Sequence, residues 1–154
     1  MGLDDLVLTG DFATVHDVVL QYAPVFAAHG FAFKGVALQG SAELVRFPVF
    51  HFLNDQSNLR IDISFISAAG GLNGGFTAMI IKPVNQKLDV EDYLKAHDRE
   101  AFTRFFTYRD PATDVRRFAD TFFRLITGLL DRDLKPILEG RTFEETPVDW
   151  MGYK

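Results

Sequence analysis

Residues 44–65 read LVRFPVFHFLNDQSNLRIDISF, and the way this segment pairs with itself decides the fold. Its second half is the clearest strand in the chain. Over residues 59–67, Leu59, Ile61, Ile63 and Phe65 alternate with Arg60, Asp62 and Ser64, which predicts one buried and one wetter face. Residues 44–53 form a second strand, and NDQSN at 54–58 is a polar connection of hairpin length. Pairing Leu53 with Leu59 across a five-residue loop sets Val45, Phe47, Val49, His51 and Leu53 beside the apolar face of the other strand. A one-residue slip would exchange the two faces completely.

That register has a consequence. Phe50 would lie opposite Asp62 and Phe52 opposite Arg60, on an outer face shared with Ser64 and with Lys34 of the preceding strand. Aromatic side chains rimmed by charges make a binding surface. The candidate partner-binding set is therefore Phe50, Phe52, Arg60, Asp62, Ser64 and Lys34, with Asp55 in the connecting loop. The competing account is that residues 140–154 fold back and cover the face with Trp150. Changing Phe50 and Phe52 to Ser separates the two: lost folding stability supports a covered face, and lost binding alone supports an interface.

Working outward, residues 11–29 read as a helix with Phe12, Val15, Val19, Tyr22 and Phe26 on one stripe. Gly30 follows as a left-handed terminator, and Pro24 should kink or divide the helix. Residues 31–38 predict a first strand. Residues 70–75, GGLNGG, read as a flexible hairpin tip, and 76–82 as a fourth strand ended by Pro83. Asp89 is a predicted N-cap for a helix over 90–97, followed by helical residues 99–107. Asp110-Pro111 predicts the start of a helix reaching residue 131, with a short helical turn at 134–138. The expected fold is α+β: a four-stranded antiparallel β-meander packed against N- and C-terminal helices, in the order α-β-β-β-β-α-α. Residues 1–154 make one globular domain, with 140–154 an irregular C-terminal tail.

Composition narrows the function. The 154 residues include 47% hydrophobic and 24% charged residues, the profile of a folded domain. The absence of Cys excludes a disulfide scaffold, thiolate metal sites and thiol catalysis. The net charge of −5, with no basic run longer than Arg116-Arg117, argues against nucleic-acid binding. The first 58 residues hold six acidic side chains against Lys34 and Arg46, an asymmetry that steers a basic partner or simply maintains solubility. MGLDDLVLTG has neither the basic n-region nor the apolar h-region of a secretory signal. No apolar run approaches the length of a membrane span, so the expectation is a cytoplasmic protein without a membrane partner.

No catalytic or metal-binding motif emerges. His16, His29, His51 and His97 form no HExxH, and there is no Gly-x-Ser-x-Gly elbow. The chosen register points His51 into the core, where a backbone hydrogen bond would satisfy it. Asp131-Arg132-Asp133 marks a solvated helix end. Asp62, the one carboxylate in a central strand, could act as an acid or base, but a cross-strand charge network explains it equally well. The expectation is no catalytic residue, no metal and no cofactor.

The layout resembles a known group. His29-Gly30-Phe31, then Phe33-Lys34-Gly35, a β-meander and C-terminal helices resemble small bacterial immunity proteins of polymorphic and secreted toxin systems. The closing stretch Leu134-Lys135-Pro136-Ile137-Leu138-Glu139-Gly140, followed by Pro147-Val148-Asp149-Trp150, is similar in feel. The resemblance implies a non-enzymatic protein that binds and neutralises a cognate toxin or effector by occluding its active site. It carries over no individual functional residue. Two alternatives stand beside it: a chaperone for a secreted effector, and a small enzyme or ligand carrier with a Phe-lined pocket.

Overall fold

The computed structural model describes residues 10–39, 47–68, 71–82, 86–107 and 114–139. The chain runs α1 (Gly10–Ala28), β1 (Ala32–Gln39), β2 (Phe47–Asn54), β3 (Leu59–Ala68), β4 (Gly71–Lys82), β5 (Gln86–Asp89), α2 (Val90–His97), α3 (Arg99–Thr107), α4 (Val115–Leu129) and α5 (Lys135–Leu138). The strands form one antiparallel sheet in the order β1-β2-β3-β4-β5. The class is α+β, as the hydrophobic patterns predict, but the meander has five strands and not four. The additional strand, Gln-Lys-Leu-Asp, is too short and too polar for its alternation to be recognised without its partner in β4.

Helix α1 forms because its apolar residues recur on one side. Phe12, Val15, Val18, Val19 and Phe26 are buried, while Leu20 and Val25 face solvent. Pro24 does not divide it. The helix stops at Gly30, whose φ of +90° is costly for any residue with a Cβ. Gly30 N–H bonds Ala27 O at 2.9 Å and Phe31 N–H bonds Phe26 O at 2.9 Å, a Schellman termination. A Cβ at Gly30 would meet Asn54 Nδ2 at 2.8 Å. Asn54 cannot easily retreat, because its Oδ1 accepts the amides of Gln56 and Ser57. Gly30→Ala is therefore expected to lose about 2 kcal/mol in urea denaturation. Unchanged stability would contradict this account of the helix stop.

Helix α4 is capped by Asp114, whose carboxylate accepts the amide of Arg117 at 3.1 Å. The expected start at Asp110-Pro111 is thus displaced to Val115, and residues 110–113 lie outside the described residues. The caps of α2 and α3 follow the same logic: Asp89 accepts from Asp92 N, as expected, and Asp98 accepts from Ala101 N.

The core lies between one sheet face and the helices. Phe12 of α1 stacks on Phe50 at 6.0 Å, and Phe26 on Phe52 at 4.1 Å. Phe122 of α4 stacks on Phe76 at 4.6 Å. Tyr22 and Phe123, 5.9 Å apart, close the seam between the two helices. Leu88, Val90, Leu94 and Ala101 extend the same core toward β5, α2 and α3. Outside it, Tyr22 donates to Asp120 at 2.7 Å and Arg116 pairs with Asp17 at 3.2 Å, further ties between α1 and α4.

The β2–β3 register corrects the sequence reading by one residue. Asn54 pairs with Leu59 and Leu53 with Arg60, so the turn is the four residues 55–58. Asn58 takes a φ of 61° to close it. Phe50 accordingly faces Ile63, and Phe52 faces Ile61; both Phe are fully buried in the core. Neither belongs to an outer face. His51 moves the opposite way, out of the expected core and across from Asp62.

Two irregularities shape the sheet. The β1–β2 ladder shifts between Phe33 and Gly35, where Gly35 has a φ of +121°. The β3–β4 ladder shifts after the Phe65–Phe76 pair, and Ile66 then pairs with Asn73. Gly71 and Leu72 continue that ladder, so the expected hairpin tip is largely strand. Glycines suit such a bulge because they adopt the backbone angles that an extra residue demands. The expected cover by residues 140–154 falls outside the described residues.

Candidate interaction face and its charge cluster

The sheet face turned away from α1 and α4 carries His51, Arg60, Asp62, Ser64 and Lys87 by strand alternation. Val49, Met79 and Ile81 share this face and are buried there, outside the main core cluster. The face is therefore mixed, with charges set among apolar side chains.

Asp62 is its centre. The residue is 1% exposed, and a carboxylate so placed must be neutralised or paired. Arg60, two residues earlier on the same side of β3, grips it with two bonds: Nε to Oδ1 at 2.8 Å and Nη2 to Oδ2 at 3.0 Å. From β2, His51 Nδ1 lies 2.6 Å from Oδ1. Because the carboxylate accepts, the nitrogen donates, and this fixes the proton on Nδ1. Among the described residues no hydrogen bond reaches His51 Nε2. The ring is 19% exposed and the Arg60 side chain 41%, so both reach the surface while the carboxylate does not.

Lys87 of β5 completes the cluster. It is buried, and burial pushes its ammonium below the usual lysine range; Asp62 pulls it back up, and Arg60 pushes it down. Asp62 thus serves three cationic or donating groups from three strands. Sequence spacing placed Arg60, Asp62 and Ser64 on one side correctly. His51 and Lys87 were missed, the first through the register and the second because β5 was not recognised.

Lys34 and Asp55 come together elsewhere. Lys34 Nζ approaches Asp55 Oδ2 to 4.0 Å at the turn end of the sheet, with both side chains open to solvent. Of the seven candidate residues, Lys34, Asp55 and Arg60 are accessible. Asp62 and Ser64 are buried beneath the second face, and Phe50 and Phe52 belong to the core.

The Asp131-Arg132-Asp133 turn is more engaged than a solvated helix end. Asp131 reaches His29, 2.8 Å away. Asp133 lies beside Asp98, and its carboxyl is pushed up first by burial and then by that neighbour. Among the described residues no group of three or more His, Asp or Glu is arranged to hold a metal ion, and no helix is long and apolar enough to cross a membrane. Scans of family models, curated proteins and solved structures found nothing that matches this chain.

Proposed function

We propose that the chain is a non-enzymatic immunity protein that binds a cognate bacterial toxin or effector and occludes its active site. The observation that supports this most is the accessible mixed-charge rim at the β2–β3 end of the sheet. Asp55 and Arg60 stand there on the β2–β3 hairpin, whose turn is exposed to solvent, with Lys34 of β1 beside them. Charges of both signs on a fixed scaffold select a partner's charge pattern and set its docking angle. The net charge of −5 adds long-range attraction for a basic toxin.

The experiment is co-purification with the product of the adjacent gene, combined with rescue of cells that express it. A nanomolar complex and restored growth are expected. Absence of both overturns the proposal. Within such a complex, Asp55→Ala should slow association with a basic toxin on the order of tenfold at low salt and Lys34→Ala should speed it, both effects shrinking as salt is added. Both side chains are exposed, so folding stability should stay within about 0.5 kcal/mol.

One observation favours a second reading, a small enzyme or ligand carrier. An imidazole whose Nδ1–H is held by a buried carboxylate offers Nε2 as a base or acceptor. Native mass spectrometry that finds a small molecule lost in His51→Gln would favour it.

A further inference from the structure

The strongest chemical constraint outside the sheet concerns His29, just past the end of α1. Its Nδ1 lies 2.9 Å from Val25 O, and its Nε2 lies 2.8 Å from Asp131 Oδ1. A backbone carbonyl only accepts hydrogen bonds, and an ionised carboxylate only accepts. A neutral imidazole has one N–H and one lone pair, so it can serve just one of these two partners. Both contacts exist together only when the ring carries two protons.

We infer that His29 is a proton-operated latch, which in its imidazolium form ties the end of α1 to the turn after α4 and releases one of the two contacts on losing a proton. The surroundings suit a cation. The last turn of α1 contains no basic residue of its own, and its carbonyl end, where the helix dipole leaves partial negative charge, favours a cation. The charged groups that face the ring are Asp131, which favours the imidazolium, and Lys135 of α5, which opposes it. The Val25 carbonyl bond and the Asp131 bond outweigh burial and Lys135, and they hold the ring above the ordinary histidine value of 6.5. The contribution of the latch to stability is therefore complete below about pH 6.5 and disappears as pH rises through the higher folded-state value.

The latch has independent consequences from the toxin-binding proposal, and it is tested on the free chain. The ring protons of His29 are titrated by NMR in the wild type and in Asp131→Asn. Asp131 is 71% exposed, so the substitution should leave the fold intact. The expected result is a wild-type midpoint above 6.5 that moves down in the variant. Denaturation midpoints at pH 5.5 and 8.5 supply the second readout. The wild type should lose more stability across that interval than His29→Asn, which cannot change charge. A wild-type midpoint at or below 6.5, a midpoint unmoved by Asp131→Asn, or an equal pH dependence in His29→Asn would each overturn the latch.

Discussion

Phe52→Ala should destabilise the protein by about 4 kcal/mol, the largest effect expected of a single core substitution here. Phe52 is fully buried in the middle of β2, stacked on Phe26 at 4.1 Å and tilted against Phe33 at 5.2 Å. Truncation removes the ring from the contact that fastens α1 to the sheet. The surrounding rings belong to two different elements and cannot both collapse into the space, so the cavity term adds to the transfer term. Domains of this size are stable by only about 5–15 kcal/mol, so the single change consumes a large share of that margin. Phe50→Ser combined with Phe52→Ser should prevent folding altogether. Urea denaturation followed by circular dichroism is the measurement. A loss under about 1 kcal/mol for Phe52→Ala would mean that the ring is not packed against α1, and the register would have to be revised.

Asp62→Ala is expected to cost about 3 kcal/mol, for an electrostatic reason. Removing one partner of a buried ion pair leaves the other charge without compensation, which is far more damaging than never having built the pair. Arg60, at 41% exposure, can turn its guanidinium to water. Lys87 is buried beneath the same face and loses the anion that draws its ammonium upward. In Asp62→Ala, Lys87 should therefore titrate still lower, and His51 should lose its fixed Nδ1–H tautomer, visible in the nitrogen shifts of its ring. Replacing Asp62, Arg60 and Lys87 together by apolar residues of similar volume should recover most of the lost stability. If Asp62→Ala is neutral in urea denaturation, water reaches the carboxylate and the buried cluster does not exist.

Much of the fold is legible in the sequence because several signals agree. The stripe from Phe12 to Phe26, Gly30 as terminator, the alternation through residues 59–65 and the Asp89 cap all specify elements that the structure contains. The hairpin register was harder, because both faces of β2 are apolar. Val49, His51 and Leu53 compete with Pro48, Phe50 and Phe52, and hydrophobicity alone leaves the choice nearly balanced. The turn decides it. Asn54 accepts two amides of the following residues, and Asn58 adopts positive φ, so the loop closes in four residues and not five. Reading those two Asn residues as turn chemistry would have placed both Phe inside. The same slip hid the candidate site, since it removed His51 from the company of Asp62. Lys87 was beyond reach for another reason: a four-residue strand becomes identifiable only when its ladder with β4 is known.

The shifted ladder at Phe33–Gly35 bears on how this molecule meets other chains. β1 and β5 are the outer strands of the described sheet. An open strand with a regular row of free amides and carbonyls is a template for a neighbour's backbone, which risks self-assembly. β1 interrupts that row at its bulge and places Lys34 beside the break. β5 offers only four residues before the chain turns into α2. Neither margin suits a visiting strand. Among the described residues, both margins therefore disfavour edge-to-edge pairing with a second copy, and a chain docking on this sheet would meet side chains before any regular row of free backbone groups.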